Sequence, residues 1–322
     1  MNTCLSRREF LNRAALCSVA AATISPALLT RGASSVTARK FKLCLAPGSV
    51  GVKAAPREVI ALAHKHGFEA VEANAAFLVP LSDSELTALR DEMKAKGLVF
   101  GAAGLPVDFR QDDAKFQAGM KELPKLAAGL QRAGAGRVRT WLSPGHDDLD
   151  YKQNFQQHTR RLREAAQVLK DHGQRLGLEY VGPPSSRRNR RYPFIHSMRE
   201  MKELIAEIGT GNVGYVLDSW HWWTASETEA DLLSLKAVDV VSVDLNDAPA
   251  GVSLEEQQDN KRELPCATGV IPMAVFVNAL QRLGYDGPVR AEPFYKPLNA
   301  MSADEACATV IASLRKAVAL LK

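Results

Sequence analysis

The sequence predicts an α/β protein with a (β/α)₈ barrel, on three observations. From Phe41 onward, short apolar runs of strand length alternate eight times with longer amphipathic segments of helical period. Several of these longer segments end in basic residues followed by glycine, which is typical of helix C-termini. No Gly-x-Gly-x-x-Gly loop follows an early strand, so a dinucleotide-binding sheet is not indicated, and eight such units in about 280 residues favour the barrel.

The predicted elements follow one another in strict alternation. The predicted strands lie near Lys42 to Ala46, Ala70 to Ala73, Val99 to Ala103, Val138 to Leu142, Gly177 to Val181, Gly214 to Leu217, Val240 to Leu245 and Val289 to Ala291. The predicted helices lie near Pro56 to His66, Ser82 to Lys96, Ala114 to Ala133, Phe155 to Leu176, Met198 to Ile208, Thr228 to Leu235, Met273 to Leu283 and Ala303 to Leu321. In such a barrel the carboxyl ends of all strands open on one face, where the following loops build the binding site.

The first 38 residues are predicted to be a twin-arginine export signal. The pair Arg7-Arg8 precedes an alanine-rich apolar stretch, Ala14 to Leu29, and small residues up to Ala38 offer a cleavage site. The apolar stretch is short and contains a Ser-Pro pair, which disfavours a membrane anchor. The predicted organisation is therefore a signal peptide over 1–38 and a single barrel domain over 39–322, with a periplasmic or otherwise exported product.

Charge and cysteine content restrict the partners. The chain has 322 residues, 46% of them hydrophobic, which is enough for a substantial core. Loss of the signal removes four arginines and one glutamate and lowers the formal charge from +5 to +2, so nucleic acid and anionic lipid are not indicated as partners. We expect a small-molecule partner and no stable membrane insertion after cleavage, and a homo-oligomer is left open. Cys44, Cys266 and Cys307 lack metal-site spacing; they are expected to be small buried hydrophobes, or to form one bridge.

Acidic residues stand at the ends of four consecutive predicted strands. They are Glu179, Asp218, Asp244 and Glu292. In a barrel they would converge on one cavity, where Glu72 could join them. Carboxylates in one cavity repel each other unless some are protonated or a divalent cation lies between them. An oxygen-rich set suits Mn²⁺ or Mg²⁺, with Co²⁺ and Zn²⁺ as less favoured alternatives. The competing interpretation is that some of the acids cap helices or pair with Arg290 or Lys296.

These strand ends also resemble a known family. The segments are Leu178-Glu179, Leu217-Asp218-Ser219-Trp220-His221, Asp244-Leu245-Asn246-Asp247 and Ala291-Glu292-Pro293-Phe294. In this order on strands five to eight they are similar to the sugar isomerase/epimerase (sugar phosphate isomerase/epimerase) family with the xylose isomerase-like TIM barrel. The resemblance implies one divalent metal on Glu179, Asp218 and Glu292, proton exchange by the two glutamates, and substrate contact by His221.

The fourth metal ligand departs from the pattern of that family. Asp244 stands where the family usually has histidine, which adds negative charge, favours a harder cation and leaves weak metal binding open. The arginine that epimerases of the family often place shortly after this histidine is also missing from its usual spacing. Arg262, in the following loop, could take over its contact with substrate or could simply be solvated.

Two further residues are candidates for contact with substrate. Trp220, together with its neighbours Trp222 and Trp223, could form a stacking platform for a sugar ring, although packing is an equally good interpretation. His196, in the loop after the fifth strand, could reach a hydroxyl group, or could serve at the surface or in a helix cap.

The predicted function is an exported, metal-dependent sugar isomerase or epimerase that transfers protons next to a carbonyl through an enediolate. The same intermediate can expel a β-substituent, so a keto-glycoside lyase or hydratase stays open. A non-catalytic carbohydrate-binding barrel also stays open, and the aspartate at position 244 favours it. A nuclease of the abasic-site type shares the barrel but needs more histidine ligands than this chain has.

Overall fold

The computed structural model describes residues 39–322, so the predicted signal peptide lies outside the described residues. The strands are β1 Lys42–Leu45, β2 Ala70–Val71, β3 Val99–Phe100, β4 Ala103–Gly104, β5 Arg137–Trp141, β6 Gly145–His146, β7 Arg175–Glu179, β8 Tyr192–Pro193, β9 Val213–Asp218, β10 Val240–Leu245 and β11 Pro288–Ala291. The helices are Pro56–His66, Ala75–Leu78, Asp83–Ala95, Asp113–Ala133, Tyr151–Asp171, Met198–Ile208, Ser219–Thr224, Glu229–Leu233, Met273–Leu283 and Ala303–Val318.

Nine of the strands form one parallel sheet in the order β3-β2-β1-β11-β10-β9-β7-β5-β4. The first and last strands of this order, β3 and β4, are two parts of one chain segment, separated by Gly101 and Ala102. The sheet therefore closes on itself with eight strand positions around the ring, and the predicted (β/α)₈ barrel is confirmed. The remaining strands, β6 and β8, form a small antiparallel pair in the loops.

Local signals explain most of the helix boundaries. Serine or aspartate caps the helices that follow Ser82, Asp150 and Ser302, each in a capping box. The helix Met198–Ile208 ends at Gly209, which has φ of 68° and is in the left-handed region. This helix and Met273–Leu283 have the bounds that the sequence predicts.

Several elements differ from the sequence prediction, and two of these differences concern the site or its neighbouring helix. The helix predicted over Phe155 to Leu176 is Tyr151–Asp171, because Gly173 adopts φ of 69° and the chain then enters β7. The tryptophan-rich segment after Asp218, which is in none of the predicted helices, forms the helix Ser219–Thr224, with Asp218 as its N-cap. Among residues 39–322, no helix combines the length and the apolar character that crossing a membrane requires.

One buried histidine packs in the layer between barrel and helices. The ring of His158, in the helix Tyr151–Asp171, lies 5.4 Å from the ring of Phe109 and 4.9 Å from that of Phe194. Its Nδ1 is 2.9 Å from the carbonyl oxygen of Asn154. Burial, which disfavours the charged imidazolium, lowers the pKa of His158 to about 4.

This histidine predicts a loss of stability in acid. Between pH 6.5 and 4 the unfolded chain binds a proton at His158 that the folded chain does not, so the free energy of unfolding falls as the pH falls. The expected contribution is about 3 kcal/mol. His158→Phe keeps an aromatic ring between its two neighbours and removes the titration. Urea denaturation from pH 4 to pH 7 is expected to show a shallower acid loss for the variant, and equal slopes would contradict the prediction.

Candidate active site

A cavity of about 460 Å³ opens at the carboxyl ends of the barrel strands, a size typical of small-molecule sites. Glu179 ends β7, Trp141 ends β5 and Glu292 follows β11 directly. The cavity is lined by Glu72, Gly104, Leu105, Arg110, Arg139, Thr140, Trp141, Glu179, Val181, His221, Asp259, Arg262, Arg290, Glu292 and Phe294.

The parallel register brings the four predicted acids together. Asp244 in β10 pairs with Asp218 in β9 and with Arg290 in β11. Since side chains alternate along a strand, Arg290 shares its face with Glu292, two residues later. Side-chain oxygens from Glu179, Asp218, Asp244 and Glu292 all lie within 4.8 Å of one another.

Two arginines enclose Asp244. Arg139 donates from Nη1 and Nη2 to Oδ1 and Oδ2 of Asp244, at 3.2 and 2.6 Å. Arg290 donates from Nε and Nη2 to the same two oxygens, at 2.6 and 3.4 Å. The carboxylate thus accepts four hydrogen bonds from two bidentate guanidinium groups, which is about its full lone-pair capacity. Asp244 is fully buried, and pairing of this kind is what makes burial of its charge tolerable.

Asp218 also accepts four hydrogen bonds, from a different set of donors. Its Oδ1 accepts hydrogen bonds from the backbone N–H groups of Trp220 and His221, which caps the helix Ser219–Thr224. Its Oδ2 accepts hydrogen bonds from Asn246 Nδ2 at 2.9 Å and from Arg262 Nη1 at 2.8 Å. The helix-capping interpretation of Asp218 therefore holds alongside its position in the acid cluster.

Arg262 is buried rather than solvated. Its guanidinium donates to Asp218, to Asp259 Oδ1 at 2.6 Å, and to the carbonyl oxygen of Glu292 at 3.3 Å. The same group lies 4.8 Å from the ring of Trp220 on one side and 4.8 Å from the ring of Phe294 on the other. Arg262 thus forms part of the cavity wall, with its guanidinium stacked between two aromatic rings and ion-paired at its edge.

The two glutamates keep free hydrogen-bonding capacity. Glu179 accepts one hydrogen bond at Oε2, from Arg139 Nη2 at 3.3 Å, and its buried Oε1 has no partner among the described residues. Burial raises the pKa of the Glu179 carboxyl well above its usual range, while Arg139 opposes the shift. Glu292 accepts from Arg290 Nη2 at 2.6 Å and lies 3.7 Å from Arg262 Nη1. Both carboxyl groups line the cavity and can meet a ligand.

His221 contributes a neutral imidazole to the same wall. Its Nδ1 accepts a hydrogen bond from the N–H of Gly182 at 3.2 Å, and its Nε2 lies 3.1 Å from Arg262 Nη2. Burial and then the charge of Arg262 lower the pKa of His221, so the imidazole is uncharged at neutral pH. The predicted substrate-contact residue therefore reaches the cavity, as a polar group rather than as a cation.

The other predicted substrate contacts differ in their placement. Trp220 is fully buried and packs beneath Arg262 and against His221, so its ring does not line the cavity. His196 lies outside the cavity lining; its Nδ1 is 2.8 Å from the carbonyl oxygen of Phe194, and its backbone N–H donates to Glu200 at the start of a helix. For His196 this geometry matches the cap interpretation.

The exposed aromatic rings of the cavity belong to other residues. Trp141 and Phe294 are 48% and 44% exposed, and each has a guanidinium against its ring: Arg110 at 4.4 Å and Arg262 at 4.8 Å. Phe294 adopts φ of 45°, a left-handed conformation that is strained for a bulky residue. These two rings, rather than Trp220, offer flat apolar surface to a ligand.

Sequence reasoning missed four residues of this site. Arg139 and Trp141 lie in the segment Arg-Val-Arg-Thr-Trp, where an arginine in the middle of a barrel strand was the available signal. Arg110 is in a loop with no distinguishing pattern. Asn246 sits between two aspartates; it donates to Asp218 and accepts from the N–H of Glu292 at 2.9 Å, which links β9, β10 and β11.

The donor set can be tested directly for a divalent cation. The four carboxylates are close enough to share an ion, and Glu179, Asp218 and His221 form a second compact group. Glu179 and Glu292 have lone pairs to offer, and the unpartnered Oε1 of Glu179 is the kind of atom that a cation would satisfy. Asp218 and Asp244 have none to spare, because each already accepts four hydrogen bonds. As arranged, the four residues do not fit together as ligands of one ion.

Comparisons with known proteins place the chain in context. A family model described as "Xylose isomerase-like TIM barrel" matches residues 60–320. The inosose isomerase of Halalkalibacterium halodurans is 26% identical over 151 residues, which cover 46% of this chain and 49% of that protein. The inosose isomerase of Bacillus velezensis is 21% identical over 278 residues, which cover 84% of this chain and 94% of that protein. The chain thus spans about half the length of the first relative and nearly all of the second.

Solved structures give the same fold. A xylose isomerase domain protein from Alicyclobacillus acidocaldarius is 34% identical, with a TM-score of 0.76 over 87% of this chain and 99% of that one. The structure of IOLI protein with a bound zinc atom has a TM-score of 0.72 and 19% identity, over 88% of this chain and 99% of that one. That zinc and the acid and histidine cluster of this chain suggest a divalent metal as a candidate cofactor, and they do not determine which ion.

Proposed function

Because this chain belongs to the xylose isomerase-like TIM barrel family, we propose that it is an isomerase or epimerase of a small sugar or cyclic polyol ketone, acting by proton transfer next to a carbonyl. The inosose isomerases among its relatives support the reaction class and this kind of substrate. The observation that carries the proposal is the pair Glu179 and Glu292 on one cavity, close together, with the buried Oε1 of Glu179 unpartnered.

The two carboxyl groups supply an acid and a base. Burial raises the pKa of Glu179, which favours its protonated form and makes it the general acid. Glu292 acts as the base and takes the proton from the carbon next to the carbonyl, while the bonding electrons move to the carbonyl oxygen and form an enediolate. Glu179 then returns a proton. Return to the opposite face of the same carbon inverts it. Return to the former carbonyl carbon moves the carbonyl, and the proton of the neighbouring hydroxyl group then passes to the enolate oxygen. In both cases Glu292 ends protonated and Glu179 ionised, and proton exchange with water restores the two groups before the next turnover.

The residues around the pair orient the substrate and stabilise the enediolate. His221, neutral at physiological pH, can exchange a hydrogen bond with a hydroxyl group. Arg139 and Arg262 line the cavity and bring positive charge to the place where negative charge develops. The sequence-based expectation of Mn²⁺ or Mg²⁺ at this site is untested, and the four hydrogen bonds accepted by each of Asp218 and Asp244 oppose it.

Trp141 and Phe294 favour a ligand with an apolar face at the mouth of the cavity. Sugar and cyclitol rings present C–H groups on their faces and stack on aromatic side chains. Two exposed rings at one opening also suit a substrate that extends beyond one ring, which supports a keto-glycoside as the second candidate substrate. With such a substrate the same enediolate would expel the substituent next to it, and the reaction would be an elimination.

Export by the twin-arginine pathway belongs to the same proposal and rests on the sequence around Arg7 and Arg8 alone. Changing both arginines to lysine is expected to retain the full-length chain in the cytoplasm, whereas the natural sequence yields a shortened chain in the periplasm. Immunoblots of fractionated cells would measure both. Recovery of the unchanged chain in the cytoplasm, uncleaved, would contradict export.

Proton transfer predicts exchange of substrate hydrogen with solvent. Incubated in D₂O with myo-inosose, D-psicose, D-tagatose and D-fructose, the protein is expected to incorporate deuterium next to the carbonyl of at least one of them, measured by NMR. Glu179→Gln removes the acid while keeping the side-chain shape, so we expect exchange to fall by about 10² to 10⁴-fold with the melting temperature preserved.

The matched control for that variant is Glu203→Gln, on an exposed helix face outside the cavity, which should exchange at the wild-type rate. Unchanged exchange in Glu179→Gln, or no exchange by the wild type on the whole panel, would count against the proposal. Loss of a substituent from an oxidised glycoside, without net epimerisation, would identify the elimination instead.

The aromatic mouth predicts a binding defect without a chemical one. Trp141→Ala removes a stacking surface worth about 1 kcal/mol, so KM for the substrate found by exchange should rise by about five-fold with little change in kcat. Trp141→Phe keeps a ring and should lie close to the wild type. A large fall in kcat for the alanine variant, with KM unchanged, would show that Trp141 acts on the chemistry and not on binding.

A further inference from the structure

The four acids of the cluster already have a set of positive partners that belongs to the protein. Three guanidinium groups, from Arg139, Arg262 and Arg290, make ion pairs with them at 2.6 to 3.7 Å. The side chains of these arginines are at most 9% exposed, so their charges cannot be satisfied by water. The cluster is therefore an ion-pair network in which Asp218 and Asp244 are fully used, whereas Glu179 and Glu292 face the cavity.

The count of formal charges does not decide whether a cation binds. Six carboxylates pair with three guanidinium groups, because Arg262 also contacts Asp259 at 2.6 Å and Arg290 also contacts Glu72 at 3.1 Å. What opposes a cation is the lack of free lone pairs, since Asp218 and Asp244 each accept four hydrogen bonds from the protein.

Arg139 and Arg290 hold the centre of the network by way of Asp244. A cation bound to Asp244 would have to displace at least one of four guanidinium hydrogen bonds. A displaced Arg139 would keep only its 3.3 Å contact with Glu179, and a displaced Arg290 would keep Glu72, Glu292 and the hydroxyl group of Ser49. Leaving a buried guanidinium without its partner opposes binding of the cation.

We propose that this protein uses its arginines in place of a divalent metal: Asp244 anchors Arg139 and Arg290, and Arg139 is the group that polarises the substrate carbonyl. The role of Arg139 in the reaction rests on the proposed function, whereas the exclusion of a metal does not. Arg139 lines the cavity, and its contacts with Asp244 and Glu179 use three of its five N–H groups. Two N–H groups remain for the oxygen on which the enediolate charge develops, and no atom leaves the arginine in this step.

The first test is the metal content of the mature wild-type protein. After expression in medium supplemented with Mn²⁺, Mg²⁺, Co²⁺ and Zn²⁺, elemental analysis is expected to find less than about 0.1 equivalent of each ion per chain. Titration with MnCl₂ in a calorimeter should show no site with Kd below about 10 μM, and dialysis against EDTA should leave the melting temperature unchanged. One tightly bound equivalent, or a fall in melting temperature on removal of metal, would overturn the inference.

The second test removes one of the arginines that occupy the lone pairs of Asp244. Arg139→Met frees two lone-pair sites on Asp244 and adds one net negative charge to the cluster, so Mn²⁺ affinity should rise at least about ten-fold over the wild type. The matched control is Arg137→Met, two residues earlier in the same strand, where the guanidinium pairs with Asp286 outside the cavity. This control should gain no Mn²⁺ site. Equal affinities of folded Arg139→Met and wild type would overturn the saturation argument.

Two further readouts keep the inferences separate. If Arg139→Met does not fold, Arg139→Lys keeps the charge but loses the bidentate fork, and a smaller gain in Mn²⁺ affinity is expected. Absence of metal together with absence of solvent exchange would sink the proposed function and leave the arginine network standing. Solvent exchange that is lost in EDTA and restored by Mn²⁺ would support the proposed function and overturn the replacement of the metal by arginines.

Discussion

Pairing of buried charge is the constraint on which the site depends. The barrel directs carboxylates from separate strands to one place, and Asp218 and Asp244 are almost completely shielded from water there. Carboxylates this close and this deeply buried cannot all remain charged without partners. The chain supplies the partners from the same strands, since Arg290 stands beside Asp244 in the sheet register and Arg139 reaches it from β5. The charged groups of the site are thus neutralised by charged groups of the barrel strands themselves.

The same cluster also positions the loops that shape the cavity. Asn246 ties the end of β9 to the start of the segment after β11, and Asp218 starts the helix that carries His221. In the loop after β10, Asp247 accepts hydrogen bonds from the backbone N–H groups of Thr268, Gly269 and Ile271. Asp247 therefore shapes the loop that brings Arg262 to the cavity, and it takes no part in the acid cluster.

The sequence was sufficient for the barrel and for the meeting of its acids, because both follow from periodicity. Strand alternation and parallel order determine where Glu179, Asp218, Asp244 and Glu292 point, whatever surrounds them. What surrounds them depends on side-chain reach, which periodicity does not encode. Arg139 and Asp244 are 105 residues apart, and nothing local to either predicts their contact.

The tryptophans show the same limit. Trp141 ends a barrel strand and Trp220 lies two residues after the end of another, and composition cannot tell which of the two faces the opening. The N-cap at Asp218 turns the chain into a helix at once and carries Trp220 inward, under Arg262. Trp141 ends its strand with no helix behind it and stays 48% exposed.

The choice between a metal and arginines has a consequence for the acid and base. A metal that bound Glu179 and Glu292 would compete with substrate protons for their lone pairs and would favour the charged form of both groups. Guanidinium groups act unevenly: Arg290 and Arg262 both approach Glu292, whereas Glu179 receives one long contact from Arg139 and keeps Oε1 unpartnered. Glu292 is therefore the more fully ion-paired of the two, and burial raises the pKa of Glu179. A proton-transfer site needs such a difference in surroundings, since one of two similar groups must give a proton while the other takes one. In this barrel the arginines that neutralise the cluster also provide it.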